Sequence, residues 1–382
     1  MSASARVLLT VDEGTGSLAA TRALRAAGYA PWLAASRATA AARSRCAAGV
    51  VAGPDAKTDP DGFVAAAGET AARLGVAALL PGTEGALRAF AGREDLVPSG
   101  VLLGLPSKGI VDRALDKTVI ERLAEEAGMD VPETIELRPR DLDARVGELS
   151  FPAALKPRAT VVGEDDGTFR TFEVLRVEDV DELRRALARF PQDEAWLVQR
   201  WIEGSLAAVC GVAWNGDVVC ACHQVSQRIW PTDTGISSYA TTVPRDAELE
   251  DRVRALVRAI GWSGVFGVQF LRAGDRAYVL DVNPRIYGSI GLAIAAGLNL
   301  PAIWVDLLLG REPRVGAYRA GVHYRVGEND VRALAQLFRA GHRRDAIAGL
   351  LPRPRTVGAT FSLRDPGPTL ATVARAVAAA RR

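Results

Sequence analysis

The segment from Tyr278 to Arg285 constrains this chain more than any other part of its sequence. Its first five residues are apolar or β-branched apart from Asp281, and a turn-like run precedes them, so the pattern predicts a β-strand. Residues two apart on a strand share a face, so Asp281 and Asn283 are expected to point the same way. Pro284 ends the strand, and Arg285 follows it directly. Polar side chains of complementary chemistry therefore gather at one end of this strand.

A second strand is predicted just upstream, from Val265 to Leu271, and it carries Gln269. If the two strands form a hairpin about Gly274, Gln269 lies opposite or diagonal to Asp281. One carboxylate and two amide oxygens would then form an all-oxygen site of the kind that Mg²⁺ bound to phosphate prefers. The alternative is an ordinary strand end whose polar residues make a turn. We favour the metal site, because a carboxylate enclosed by apolar residues needs a partner.

Composition narrows the class of protein. The chain has 382 residues, enough for two or three domains with real cores, and a formal charge of +2. That balance favours neither a nucleic-acid surface nor a polybasic membrane patch, and no apolar run approaches the roughly 18–20 residues of a membrane span. The first residues lead straight into a strand and do not resemble a signal peptide, and four cysteines are too few for a disulfide framework. We expect a cytoplasmic protein that binds neither nucleic acid nor membrane.

Lysine is rare, since only four of the 47 basic residues are lysine, so each surviving lysine is mildly informative. Lys156 ends an apolar strand just before a loop that contains Gly163, which suggests a phosphate contact under a mobile loop. Lys117 lies within a long helix that is predicted to run to Gly128. A solvent-facing lysine is the alternative for both, and it would be preferred for either residue alone.

Three weaker patterns remain. The strand that runs into Gly204 ends in a linker whose backbone could meet an adenine edge. Gly14 and Gly16 fit a loose dinucleotide fingerprint, with Arg37 placed to meet the phosphate of NADP, but a tight turn needs glycine for packing anyway. Cys220 and Cys222 face one way on a strand and the neighbouring histidine the other, so core cysteines are favoured over a metal site.

Taken in order, these segments resemble the ATP-grasp superfamily. The resemblance covers residues 1–310 and is carried by five segments: Asp116-Lys117, Ala154–Pro157 with the glycine loop, Val198–Gly204, Gln269, and Asp281–Arg285. The run from Asn283 to Gly297 is most similar to the carbamoyl-phosphate-synthetase-like group of carboxylate–amine ligases. The fold it implies is α/β, with a parallel βα domain followed by a two-part ATP-grasp fold with antiparallel sheets.

The resemblance also implies boundaries. We expect four regions: a Rossmann-like pre-ATP-grasp domain at 1–105, an N-terminal ATP-grasp part with the nucleotide lid at 106–203, a C-terminal catalytic and metal-binding part at 204–310, and an extension at 311–382. The extension carries no motif. Its last helix has Leu370, Val373 and Val377 on one face, which predicts docking onto the core.

By the same resemblance, several residues bind ATP. They comprise two phosphate-binding lysines, a lid glycine and the adenine linker: Lys117, Lys156, Gly163, Gln199, Arg200, Ile202 and Glu203. Arg200 and Ile202 are expected to act through backbone groups. The family often has an acidic residue that holds the ribose, but Leu206 and Ala207 occupy that region here, so either Glu203 stands in for it or ribose binding is weaker.

The remaining roles concern metal and phosphoryl transfer. Gln269, Asp281 and Asn283 match the Mg²⁺ (or Mn²⁺) ligands, although the family usually has Glu where this chain has Asp281. Arg285 matches the arginine that steadies the transferred phosphoryl group, Lys156 assists it, and Arg228 is a weaker match for a substrate-side arginine. Residues that flank these motifs, including Ser238, Tyr239 and Tyr287, are expected to shape the substrate pocket.

The implied activity is ATP-dependent ligation of a small carboxylate, such as an amino acid, to an amine through an acyl-phosphate. The partners would be small molecules, and a homodimer is left open. Two alternatives stand beside it: a nucleotide-binding relative without catalysis, motivated by Asp281 and Leu206, and an NADP-dependent reductase, motivated by Gly14 and Arg37.

Overall fold

A computed structural model describes residues 4–164, 166–232, 234–351 and 353–380. It confirms the predicted fold class, because a parallel sheet is followed by sheets that are mainly antiparallel. Among the described residues, no single helix is long and apolar enough to cross a membrane; two consecutive helices, Ile290–Ala296 and Leu300–Leu308, pass that test only as a pair bent by 91°.

The N-terminal domain is a five-stranded parallel sheet in the order β3-β2-β1-β4-β5. Its strands are β1 (Arg6–Thr10), β2 (Ala30–Ala35), β3 (Gly49–Ala52), β4 (Ala78–Leu80) and β5 (Leu102–Leu103). Its helices are α1 (Thr15–Ala26), α2 (Pro60–Leu74) and α3 (Glu84–Phe90). Local sequence sets these helices: α2 starts at a proline after Asp59, whose side chain accepts from Gly62 N, and ends at Gly75 with φ 58°.

Two short helices replace the single long helix predicted from the sequence: α4 (Lys108–Leu115) and α5 (Lys117–Glu126). Asp116 lies between them in an extended conformation, and its side chain accepts hydrogen bonds from Thr118 N and Val119 N. The break therefore has a capping cause. It places Lys117 at the first position of α5.

The second sheet is antiparallel and has the order β10-β7-β11-β6. Its strands are β6 (Thr134–Leu137), β7 (Ala153–Pro157), β10 (Leu175–Val177) and β11 (Trp196–Arg200). Two helices flank it, α6 (Leu142–Arg145) and α7 (Val180–Leu187). The strands β8 (Val161–Gly163) and β9 (Phe169–Thr171) form a separate hairpin. The hairpin β8–β9 pairs only within itself in the described structure.

The third sheet has seven strands in the order β16-β15-β12-β13-β14-β17-β18. It comprises β12 (Ser205–Trp214), β13 (Asp217–Trp230), β14 (Ile236–Thr242), β15 (Gly264–Ala273), β16 (Arg276–Asn283), β17 (His323–Arg325) and β18 (Thr356–Gly358). The accompanying helices are α8 (Ala247–Ile260), α9 (Ile290–Ala296), α10 (Leu300–Leu308), α11 (Gly327–Arg339), α12 (Arg343–Leu350) and α13 (Gly367–Ala380). The extension thus adds β17 and β18 to this sheet.

The predicted docking of α13 through its apolar face is wrong for the side chains that are described. Leu370 is 67% exposed and Val373 is 56% exposed, while Val377 lies outside the residues whose side chains are described. The extension is held instead by Asp365, whose carboxylate accepts from Ser44 Oγ at 2.7 Å, Arg45 N at 3.0 Å and Arg22 Nε at 2.8 Å. A polar contact anchors this segment to the N-terminal domain.

Asp365→Asn is expected to lower the free energy of unfolding by about 2 kcal/mol at neutral pH, because a buried charged acceptor is lost. Burial opposes ionisation, but the hydrogen bonds from Ser44, Arg22 and Arg45 outweigh it and lower the pKa of Asp365. A lowered pKa gives stability above the unfolded value of about 3.9 that is lost as pH falls through the folded value.

Urea unfolding from pH 7 down to pH 3 measures this difference between wild type and the Asp365 variant. The exposed Asp345 on α12 provides the control, as Asp345→Asn. A gap that stays constant across this pH range would contradict the assignment.

Candidate active site

The hairpin of β15 and β16 has the register predicted from the sequence. Gln269 pairs directly with Asp281, and Gly274 in the turn has φ 60°. The register shifts after this pair, since Phe270 pairs with Val279, so Leu280 is an extra residue in a β-bulge. The bulge lets the consecutive residues Leu280 and Asp281 line the same cavity.

That cavity has a volume of about 280 Å³ and lies between the second and third sheets. We call it the nucleotide cavity, after the ligand that the sequence resemblance predicts there. It brings together polar residues from five elements, α5, β7, β11, β15 and β16: Lys117, Lys156, Gln199, Gln269 and Asp281. These residues are up to 164 positions apart in the sequence (281 − 117), so only the fold makes them neighbours.

Lys156 lies at the centre of a buried network. Its ammonium group is 3.0 Å from Gln199 Oε1 and 3.5 Å from Glu121 Oε1, and Gln199 Nε2 donates to Glu121 at 2.8 Å and to Thr134 Oγ1 at 2.9 Å. Burial lowers the pKa of Lys156 and raises the pKa of Glu121. Lys156 is only 4% exposed, so the surface-lysine alternative does not hold for it. No sequence pattern indicated Glu121, yet its carboxylate accepts hydrogen bonds from both Lys156 and Gln199, two of the predicted site residues.

Lys117 is also buried, at 6% exposed. Its ammonium group is 3.6 Å from Asp281 Oδ2 and donates to Thr160 Oγ1 at 3.1 Å. Asp281 keeps 28% of its side chain exposed, and its Oδ1 accepts from Val282 N. Lys117 therefore faces both a partly exposed carboxylate and the cavity, and its ammonium group is placed to contact an anion in that cavity.

The far end of the nucleotide cavity is apolar, with the linker after β11 along one side. The apolar lining residues are Ala154, Val174, Ile202, Leu206, Ile229, Ile236, Leu271 and Leu280. Arg200 and Glu203 also line it; Arg200 N donates to Glu133 O, and Glu203 accepts from Trp201 Nε1. Within the described ranges, Ile202 N has no backbone acceptor. Among the described residues, the linker therefore leaves backbone N–H groups, including that of Ile202, without a protein acceptor beside apolar side chains.

A second cavity, of about 340 Å³, lies at the carboxyl ends of β1 and β2 in the N-terminal domain. We call it the Arg285 cavity, because Arg285 reaches it from the end of β16 in the third sheet. Thr160 and Thr171 border it from the hairpin β8–β9. The basic side chains of Arg37 and Lys57 line it, as do several acids. Asp281 and Arg285, at one end of β16, thus face two different cavities.

Three predicted residues lie outside both cavities. Asn283 ends β16 opposite Gly267, two residues after Asp281, and Gly163, which is itself exposed, ends β8. Arg228 makes two bonds to the buried Asp330, at 2.6 and 3.0 Å, and its guanidinium lies 4.4 Å from the Tyr239 ring centre. The structure gives Arg228 an internal partner, so a substrate-side role for it stays a prediction.

The residues expected to shape a substrate pocket are in part buried. Ser238, Tyr239 and Tyr287 are 0%, 1% and 7% exposed and line neither cavity, so that prediction is wrong for these three. Cys220 and Cys222 are buried and free, which confirms core cysteines. Gly16 has a packing reason, because a Cβ there would lie 2.4 Å from Tyr287 O, so the fingerprint needs no dinucleotide to explain it.

The oxygen set around Asp281 fits a divalent cation that arrives with a nucleotide. Among the described residues, no group of three or more His, Cys, Asp or Glu could hold a metal by itself. Mg²⁺ in nucleotide sites is commonly held by one or two carboxylates together with phosphate oxygens and water. One carboxylate beside the Gln269 amide meets that requirement only when phosphate is present.

Comparisons with known proteins agree with this geometry. A family model described as "ATP-grasp in the biosynthetic pathway with Ter operon" matches residues 192–329. The carbamoyl phosphate synthase large chain of Gemmatimonas aurantiaca is 26% identical over 225 residues, which cover 56% of this chain and 20% of that protein. This chain therefore spans about a fifth of the length of such relatives.

Solved structures decide the fold. The L-amino acid ligase from Bacillus licheniformis superposes with a TM-score of 0.59 at 15% identity, over 81% of this chain and 75% of that one. N5-carboxyaminoimidazole synthetase from Staphylococcus aureus, complexed with ADP, gives 0.61 at 13% identity, over 81% and 78%. The chain has the ATP-grasp fold.

The resemblance predicted from the sequence is thus confirmed for ATP-grasp architecture. The second and third sheets enclose the nucleotide cavity, and the Arg285 cavity opens between the end of β16 and the N-terminal parallel sheet. The four predicted region boundaries stay predictions.

Proposed function

We propose that this ATP-grasp chain is an ATP-dependent ligase that joins a small carboxylate to an amine. The observation that carries the proposal is the position of Asp281 and Arg285, which lie at one end of β16 and line two cavities. The triphosphate would extend from Asp281 towards Arg285, where its γ-phosphoryl group would meet the substrate carboxylate. Ligase titles among the structural neighbours and the carbamoyl phosphate synthase relatives support this choice.

The nucleotide would lie along its cavity with its base at the apolar end. Ile202 N–H is free for an adenine acceptor, and the apolar lining would cover the ring. Lys117 and Lys156 would contact the phosphates, with Gly163 in the hairpin above them. Asp281, Gln269 and Asn283 would hold Mg²⁺, which supplies neutralisation of phosphate charge when bound.

The chemistry requires positioning and charge neutralisation rather than a protein nucleophile. A carboxylate oxygen of the substrate forms a bond to the γ-phosphorus while the bond from that phosphorus to the bridging oxygen breaks, and ADP leaves. The amine, having given up its ammonium proton, attacks the acyl carbon through its nitrogen lone pair; inorganic phosphate leaves with the electron pair of the acyl–oxygen bond, and the nitrogen loses one further proton to solvent. Arg285 has no carboxylate within ion-pair distance in the described structure, so its charge is free to stabilise the transferred group.

Coupled detection of ADP release tests the proposal. Purified protein with Mg·ATP is mixed with pooled amino acids and small carboxylates, each with and without an added amine. We expect release that depends on both a carboxylate and an amine. Release with carboxylate alone would indicate an acyl-phosphate hydrolysed for want of its nucleophile.

A nucleotide-binding role without catalysis is the second candidate. It is favoured by Asp281, which offers the only carboxylate among the three predicted metal ligands and is one methylene shorter than the usual Glu. Calorimetry that shows ATP binding, together with no ADP release from any pool, would select this candidate over the ligase.

A further inference from the structure

A third cavity, of about 580 Å³, lies between the N-terminal domain and the extension, and we call it the extension cavity. It shares Glu13 and Gly14 with the Arg285 cavity and Ile236 with the nucleotide cavity. The extension cavity therefore borders each of the other two. A molecule that extends from the Arg285 cavity past Glu13 enters the extension cavity directly.

The extension cavity is lined by apolar side chains that the fold leaves exposed. Ile236 from β14, Phe361 from the segment after β18 and Val373 from α13 are 62%, 63% and 56% exposed. Large apolar groups from three separate parts of a chain seldom face one concave space without a ligand to cover them. The exposure of Val373 on α13 has the same explanation.

The charges around this cavity are mostly committed to protein partners. Arg325 is bound to Asp330 at 3.1 Å and to Gly349 O at 2.8 Å, and Glu328 is bound to Arg332 at 2.6 Å. Glu13 is the exception, since its nearest basic group, on Arg375, lies 3.8 Å away and both side chains are about half exposed. A loosely paired carboxylate therefore marks the junction with the Arg285 cavity.

We infer that the amine substrate carries a bulky apolar substituent, which occupies the extension cavity while its ammonium group meets Glu13. This inference rests on the proposed ligase and names the class of its amine: an apolar amino acid or an alkyl or aryl amine. Glu13 supplies the charge complementarity, and its position on the border of the Arg285 cavity brings the nitrogen to the side where the acyl group forms.

A binding experiment tests this site independently of turnover. Dansylcadaverine, a fluorescent apolar amine, is titrated into the protein and then displaced by n-alkylamines from propyl to hexyl. We expect fluorescence enhancement, with competitor affinity rising about fourfold for each methylene. Val373→Glu, which places a charge in the cavity, should weaken dye binding at least tenfold. Val331→Glu, at 61% exposed on α11 and outside the cavity lining, should leave it unchanged.

The head group is tested by Glu13→Gln. This variant should weaken hexylamine about tenfold and leave hexanol, which lacks the charge, unaffected. Equal weakening of both compounds, or equal dye binding by wild type and Val373→Glu, overturns the inference. Sedimentation that shows a dimer dissociated by Val373→Glu also overturns it, since a second copy would then cover the face.

Failure of the ligase is distinguishable from failure of this site. Alkylamine binding that depends on Val373, without ADP release, supports the cavity as an amine site and removes the reaction. ADP release whose kcat/KM is the same for propylamine and hexylamine keeps the reaction and rejects the assigned cavity.

Discussion

Asp281→Ala is expected to reduce ADP release by at least about 10³-fold, because loss of the charged metal ligand removes several kcal/mol of phosphoryl-charge stabilisation. The fold should survive. The ion pair with Lys117 is 3.6 Å long, and its loss leaves the buried Lys117 with its hydrogen bond to Thr160, so we expect a cost of about 1–3 kcal/mol. Steady-state ADP release at saturating Mg·ATP measures the effect, and urea unfolding checks the fold.

The same hairpin provides a matched control. Asp275 lies in its turn, exposed and outside the nucleotide cavity, so Asp275→Ala should retain wild-type activity. Wild-type ADP release from folded Asp281→Ala protein would remove Asp281 from the catalytic site and, with it, the proposed metal position.

Lys156→Met is expected to have the largest effect on stability, a loss of about 3–5 kcal/mol, because it leaves Glu121 buried without its cation. It should also raise the KM for ATP or lower turnover, since the phosphate contact is lost. The double variant Lys156→Met/Glu121→Gln removes the stranded charge as well. We expect it to regain most of the stability and none of the ATP affinity.

Denaturant unfolding and ATP titration of both variants separate the two roles of Lys156. Lys108→Met serves as the control, because Lys108 is 59% exposed and pairs with Asp112 on the surface. ATP kinetics unchanged in Lys156→Met would take this lysine out of the nucleotide site, whatever its effect on stability.

The sequence could predict those parts of the site that local rules determine. Strand alternation and the glycine turn placed Gln269 opposite Asp281, and the proximity of both to Lys156 followed from the ATP-grasp resemblance. Strands β3 and β5 were not predicted, since each is short and neither contains a fully buried residue. Short strands carry too little periodicity to be recognised.

Partners distant in sequence could not be predicted. Glu121 reaches Lys156 because α5 packs beside the second sheet, and Asp330 reaches Arg228 from 102 positions away. Nearness to a motif also proved a poor guide to exposure. Tyr239 and Tyr287 flank site motifs, yet both are buried, because neighbouring residues on a strand or loop face opposite sides.

The hairpin β8–β9 lies across the N-terminal domain on a few bonds: Phe169 N to Lys57 O, Lys57 Nζ to Thr171 Oγ1, and Val161 N to Glu84 Oε1. So small an attachment gives a low free energy of local opening, well below that of global unfolding. Amide hydrogens of this hairpin should exchange with deuterated solvent early, while those of β7 and β11 persist. Because Val161 and Thr171 of this hairpin border the Arg285 cavity, each opening admits solvent and solutes to that cavity. The kinetics of that opening set an upper limit on how fast any substrate can enter by this route.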